Sequence, residues 1–401
     1  MKHINDVIAS ARHIFGDVNG GRPQNHIRRA DPYGAGQILI STLRLSFIPC
    51  VFCIFFCFLL SGCGKVGVLP ADNDGGVSGQ EDRGKITIGL SQIGSESDWR
   101  MASTASVTAA FSSSAGYDLI FDDAQQKQEN QLKAIREFID QGVDYIVLDP
   151  VVESGWDSVL SEAKEAGIPV VVYDRRIEVE DDSLYACWIG SDFKLEGERA
   201  CVWLSEYLES KGVSRNINIA DIQGTIGASA QIGRTAALEE AVMLNKNWRI
   251  IAQDSGDFTT AKGKEVMTAM LEKYGSDINV VYAENDNMAY GAIEALEARG
   301  YKAGVDIDNG EFLVVSFDAT HTGLQMTLDG KIAVNTECNP LYGPRLTEII
   351  ETLEAGGDVE KETYIEEEQF SGISYIGTIQ VRNRPYTVTP LTEDLLSNRK
   401  Y

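Results

Sequence analysis

From Lys85 onward, short uninterrupted apolar runs alternate with segments of helical period, and this alternation constrains the fold more than any other feature of the chain. The runs occupy residues 86–90, 119–121, 145–148, 169–173 and 184–189, and resume at 217–222, 250–252, 280–283 and 312–317. Between them, Leu132, Ile135, Phe138 and Ile139 share a helix face that Gly142 ends; Met288, Ala289, Ala292, Ile293 and Leu296 share another before Gly300. A strand apolar on both faces must be covered on both, so the pattern predicts an α/β fold with parallel sheets flanked by helices. Nine βα units exceed one compact sheet. The expectation is two doubly wound, Rossmann-like lobes joined by a hinge, with the break near residues 191–196.

The first part of the chain has a different character. Residues 1–62 carry a net +3, whereas the remainder carries −28. The uncharged run 45–60 follows Arg44 and is shorter than the roughly 20 residues of a comfortable bilayer crossing. A basic flank, an apolar core and a small-residue exit predict an export signal, with a true membrane span as the competing reading. Leu60-Ser61-Gly62-Cys63 resembles the bacterial lipobox. That resemblance implies a lipidated Cys63 as the mature N-terminus and a protein held at the outer face of the cytoplasmic membrane. About forty residues precede the apolar run, and the expectation is that translation begins downstream of Met1. Residues 63–84 read as a polar tether. Cys187, Cys201 and Cys338 lack Cys-x-x-Cys spacing and read as buried thiols, with no metal site signalled. The acidity of the mature chain repels phosphate backbones and argues against nucleic acid.

The strand ends carry the chemistry. Polar residues close the apolar runs repeatedly, at Asp123, Asp149, Asp174-Arg175, Gln223, Glu284-Asn285 and Asp318. In open α/β sheets ligands bind beyond the carboxyl ends of strands, although helix N-capping is the commonest use of a lone Asp or Asn there. In the first loop, Ser95-Glu-Ser-Asp-Trp-Arg100 sets Trp99 and Arg100 at a helix start. A Trp face suits the CH-rich face of a sugar, and an Arg suits its rim; a core Trp is the alternative. A carboxylate beside a guanidinium, as in Asp174-Arg175, suits vicinal hydroxyls, with a surface ion pair as the alternative. Residues 224–234 are glycine-rich but lack the Lys-Ser/Thr of a phosphate loop, so no nucleotide cofactor is expected; the bend aims Arg234 instead. Arg100, Arg175 and Arg234 would balance Asp174, Asp318 and Glu337 in a closed cleft.

Six motifs recur in order: Ser91-Gln-Ile-Gly-Ser-Glu-Ser-Asp-Trp-Arg100, Gln125-Gln-Lys-Gln-Glu-Asn-Gln131, Asp149-Pro-Val-Val-Glu-Ser-Gly-Trp156, Gln223-Gly-Thr-Ile-Gly-Ala-Ser229, Ser255-Gly-Asp-Phe258 and Tyr282-Ala-Glu-Asn-Asp286. Together they resemble the type I periplasmic sugar-binding proteins of ABC importers, in particular the branch that binds galactofuranose. The resemblance runs from about Lys85 to the C-terminus. It implies a monomeric two-lobed clamp with three crossings, a monosaccharide between the lobes, and an ABC permease as partner. The first lobe would hold residues 85–191 and about 338–370, the second 192–337 and about 371–401. Carried over by position, the binding residues are Trp99, Arg100, Asp174, Arg175, Arg234, Asn285, Asp318 and Glu337, with Ser95, Asp123 and Gln125 as additions. Glu284 departs from the family pattern, which leads to a His there. Two other readings remain: a sugar receptor for a membrane sensor kinase or chemoreceptor, and a glycoside-acting enzyme using Asp174 and Asp318. The second is disfavoured because adjacent arginines keep a general acid ionised.

Overall fold

The computed structural model describes residues 84–401; the leader, the apolar run, Cys63 and nearly all of the expected tether lie outside them. No helix among the described residues is long and apolar enough to cross a membrane. Five strands open this part of the chain: β1 (Ile86–Gln92), β2 (Tyr117–Asp123), β3 (Tyr145–Leu148), β4 (Val170–Tyr173) and β5 (Cys187–Gly190). Five more follow: β6 (Ile217–Gln223), β7 (Trp248–Ser255), β8 (Val280–Ala283), β9 (Leu313–Asp318) and β10 (Val334–Glu337). Then come β11 (Glu362–Tyr364), β12 (Gln369–Ser371), the hairpin of β13 (Thr378–Val381) and β14 (Arg384–Thr387), and β15 (Thr389–Pro390).

Two sheets result. The first runs β11-β5-β4-β3-β1-β2 and is parallel throughout. The second runs β15-β12-β10-β9-β8-β6-β7, parallel except where β12 lies antiparallel to β10. The order 2-1-3-4-5 thus occurs twice, once per lobe, and each sheet reverses direction beside its first strand (β1 or β6). Both are α/β lobes of the expected doubly wound type. The apolar runs explain why: β3, β4 and β8 are buried at every position, so helices must cover both faces. Helix starts are set locally. Ser97, Thr259, Asn285 and Thr320 each accept a hydrogen bond from a backbone N–H three residues on. Gly142 ends its helix in the left-handed region at φ 66°.

Each expected run overlaps a strand. The largest shift is at 184–189, where Asp181 caps a short 3-10 turn over Asp182–Leu184 and delays β5 to Cys187. Three segments cross between the sheets, at 191–192, 338–342 and 365–368. The expected lobe limit near 370 falls inside β12, which pairs with β10 in the second sheet; the last crossing therefore precedes Gln369. Cys187, Cys201 and Cys338 are free and buried.

Candidate functional site

The carboxyl ends of the two sheets meet, and hydrogen bonds close the gap between them. Asp98 N donates to Asn287 Oδ1 at 3.0 Å, Arg176 N to Ser229 Oγ at 2.9 Å, and Glu153 N to the Gly227 carbonyl at 3.1 Å. Between the lobes, beyond the carboxyl ends of the strands, lies a small cleft. Seven expected residues line it: Trp99, Arg100, Asp174 and Arg175 from the first lobe, and Arg234, Asn285 and Asp318 from the second. All seven are buried.

Each guanidinium has its own surroundings. Arg100 donates from Nε to Glu96 at 2.9 Å, from Nη2 to Asp174 at 3.0 Å and from Nη1 to Asp149. Arg234 donates from Nε to Glu196 at 2.8 Å and from Nη1 to the Glu284 carbonyl, and its Nη2 lies 3.6 Å from Asp318. Removing one member of such an enclosed pair costs about 3–5 kcal/mol, because the other charge is left without compensation. Arg175 differs. Its Nη1 donates to the Val151 carbonyl at 2.7 Å, its plane lies 5.1 Å from the Phe258 ring centroid, and among the described residues it forms no ion pair. Burial, and then the neighbouring Arg100 charge, pulls its pKa below the ordinary arginine value. Its remaining N–H donors are therefore the ones available to a ligand.

The carboxyl groups outnumber the arginines. Glu96, Asp149, Asp174, Glu196 and Asp318 surround the three guanidinium groups, in place of the expected three-to-three balance. Burial pushes Asp149 and Asp318 well above the usual carboxylate range, against the pull of Arg100 and Arg234 respectively. A protonated Asp318 can both donate to and accept from a hydroxyl, which matches a neutral polyol. Backbone strain gathers at this site as well. Asp174 (φ 59°), Phe258 (φ 59°) and Asp318 (φ 96°) all occupy the left-handed region, where non-glycine residues persist only when their surroundings hold them.

Four expected residues stand outside the lining. Glu337 is engaged elsewhere: its carboxylate accepts from Tyr401 Oη and from Glu368 N at 2.7 Å, and pairs with Arg399 at 2.9 Å, so it holds the C-terminal segment. Ser95, Asp123 and Gln125 serve one another in a turn. Ser95 Oγ donates to Asp123 Oδ2 at 3.3 Å, and Gln125 N to Asp123 Oδ1 at 2.8 Å. Glu284 also does not line the cleft; it is fully buried and accepts from Gly224 N at 2.7 Å and from the Thr235 hydroxyl. Its role is to hold the glycine-rich bend, and its own carbonyl positions Arg234.

Sequence reasoning missed Glu96, Phe193, Phe258 and Cys338 in the lining. Phe258 stood in a quoted motif, and the signal was the glycine beneath it: a Cβ on Gly224 would lie 1.9 Å from the Phe258 ring. Trp99 gives the cleft a ring face only, because its indole N–H donates to the Cys338 carbonyl at 2.6 Å. Asn285 serves twice, capping its helix through Met288 N and donating to the Phe258 carbonyl at 3.1 Å. Glu196, Cys338 and Glu367 bring two carboxyls and a thiol within 4.8 Å. Burial pushes that thiol well up, Ser191 donates to Glu367 and Arg234 to one oxygen of Glu196.

The periplasmic binding protein domain family matches residues 88–339. The galactofuranose-binding protein YtfQ of Escherichia coli (strain K12) is 43% identical over 262 residues, covering 65% of this chain and 79% of that protein. A crystal structure from Mycobacterium smegmatis in complex with β-D-fucofuranose is 43% identical, with a TM-score of 0.67, covering 71% of this chain and 91% of its own. The binding component of the arabinose ABC transporter of Shewanella sp. ANA-3, bound to α- and β-L-arabinofuranose, is 42% identical, with a TM-score of 0.66 and the same coverages.

Proposed function

The chain belongs to the periplasmic binding protein family, and from that premise we propose that it captures a monosaccharide in furanose form and delivers it to an ABC importer. The observation that carries this reading is the cleft itself: a space between the lobes lined by Arg175 with donors to spare, by Asp318, whose burial favours its neutral form, and by the rings of Trp99 and Phe258. Guanidinium and carboxyl groups at its rim suit hydroxyls, and the ring faces suit a sugar's CH face. Relatives at 42–43% identity support the furanose ring, since their names and bound sugars are furanosidic. Residues of one chain complete the cleft, which supports a monomer. The apolar run and Leu60-Ser61-Gly62-Cys63 support a lipid anchor at Cys63, holding the clamp at the outer face of the cytoplasmic membrane. Labelling with radioactive palmitate, present in the wild type and lost in Cys63→Ala, tests the anchor.

Thermal unfolding with a panel of sugars tests the ligand. Methyl β-D-galactofuranoside and L-arabinofuranosides are expected to raise the midpoint, a hundredfold excess over Kd being worth about 2.7 kcal/mol. The ring-locked methyl pyranosides are expected to leave it unchanged. Equal shifts from pyranosides would remove the furanose assignment, and no shift from any monosaccharide would remove the sugar reading. Arg175→Ala, which breaks no ion pair, is expected to fold normally and lose the shift.

A further inference from the structure

The three crossings meet on one carboxyl group. Glu367 lies on the third crossing, and its Oε1 accepts from Ser191 Oγ on the first at 2.6 Å and from Asn339 N on the second at 2.8 Å. Its carbonyl accepts from Arg199 Nη1 at 3.0 Å. Facing it from the helix Phe193–Ser210 is Glu196, 1% exposed, whose Oε2 accepts from Arg234 in the sugar cleft. The other oxygen of Glu196 is buried and has no donor within the protein unless the neighbouring carboxyl supplies one. Two ionised carboxylates this close, Glu196 buried and Glu367 half-buried, repel, and one retained proton between them removes the repulsion and supplies the missing hydrogen bond.

We propose that Glu367 is the positioning residue that locks the hinge to the sugar cleft, and that in the closed clamp it shares one proton with Glu196, so that closing takes up a proton and sugar affinity falls as pH rises. The inference rests on the sugar-clamp reading. The remaining charged groups around the pair do not replace that proton. Arg199 is held by the Glu367 carbonyl, Arg234 is shared with Asp318, and Glu337 is paired with Arg399. The Cys338 thiol lies 3.4 Å from Ser191 Oγ and stays protonated. A groove beside the pair is lined by Glu366, Asp192, Arg382 and Arg384, of which Arg382 is held by Asp192 and Glu198. That groove, which Glu196 and Glu367 also line, gives the proton a route from solvent. Burial, and then Glu196, pushes Glu367 well above the ordinary glutamate value of 4.5. Rotation of the crossings on opening hydrates the pair and returns Glu367 toward that value. Affinity is therefore full at low pH and is lost as pH rises above the ordinary range toward the closed-state value.

Titration calorimetry with methyl β-D-galactofuranoside from pH 5 to pH 8, in buffers of different ionisation enthalpy, reads both affinity and proton uptake. The wild type is expected to take up close to one proton and to lose affinity by up to about tenfold per pH unit. Glu367→Gln keeps the acceptor for Ser191 and Asn339 and offers an N–H to Glu196. It is expected to bind at pH 5 like the wild type, to hold that affinity at pH 8, and to take up no proton. An unchanged slope in E367Q would assign the proton to the cleft acids and overturn the proposal, as would absence of uptake in the wild type. The sugar-free proteins are compared by thermal unfolding. Parallel declines are expected there, because the open clamp hydrates the pair; a steeper decline in the sugar-free wild type than in E367Q would place the shared proton in the open form and overturn its coupling to closure, whereas absence of furanose binding by both proteins at every pH would remove the sugar reading instead.

Discussion

Asp221 is a carboxyl with nowhere to lose its charge. It is fully buried on β6, Gln253 donates to one oxygen at 2.9 Å, and the other has no partner. Burial pushes it up to about 7 from an ordinary 3.8. The folded protein therefore holds this proton more tightly than the unfolded chain does. Its contribution is fully present below about pH 4 and is lost as pH rises toward 7, by on the order of 4 kcal/mol at most. Asp221→Asn keeps the shape without the charge. Its thermal midpoint is expected to fall less than the wild type's between pH 5 and pH 7.5, the difference corresponding to about one proton. Parallel curves would mean that Asp221 ionises freely in the fold. The same burial acts in the cleft, where it pushes the Asp318 carboxyl upward against the pull of Arg234.

At the scale of elements, most strands that the sequence pattern reveals are buried on both faces, the edge strands β2 and β7 being exceptions. Val170-Val-Val-Tyr173 can be nothing else, since four consecutive apolar residues need cover on two sides. The pattern fails at Val334-Asn-Thr-Glu337, which is equally buried but polar at three of its four positions: Asn335 is used by Ala319 N and Asp286, and Glu337 by the C-terminal segment. Polar residues used by tertiary partners leave no periodic trace, and so β10 and the place of Glu337 outside the lining share one cause. The arginines were legible for the opposite reason, because no capping role explains a guanidinium at a strand end. Phe258 was not, because its position depends on Gly224 some thirty residues earlier. Gly224→Ala must displace the Phe258 ring, and with it the partner of Arg175 and the carbonyl that holds Asn285. The far-ultraviolet circular dichroism of this variant is expected to match the wild type while sugar affinity drops by tenfold or more. Wild-type affinity in G224A would show that Phe258 does not form a wall of the bound site.

For the whole molecule, the cleft exists only because the lobes are closed, and the bonds that hold them closed are few and lie outside the lining. Asn287 accepts from Asp98 N and Ser229 accepts from Arg176 N; both side chains belong to the second lobe and both donors to the first. Neither residue lines the cleft, so their loss leaves the sugar contacts intact. A hydrogen bond of this kind is worth about 0.5–1.5 kcal/mol, so the double variant Asn287→Ala, Ser229→Ala is expected to weaken sugar binding roughly 5- to 100-fold. The loss has a kinetic signature. Sugar meets the open clamp first, before these bonds form, so the association rate should be unchanged. Release requires opening, so the dissociation rate should rise by the whole factor. Stopped-flow fluorescence from Trp99, which lines the cleft, separates the two rates. A variant that loses affinity through slower association, with release unchanged, would mean that these bonds shape the open form and that closure is held by the sugar alone.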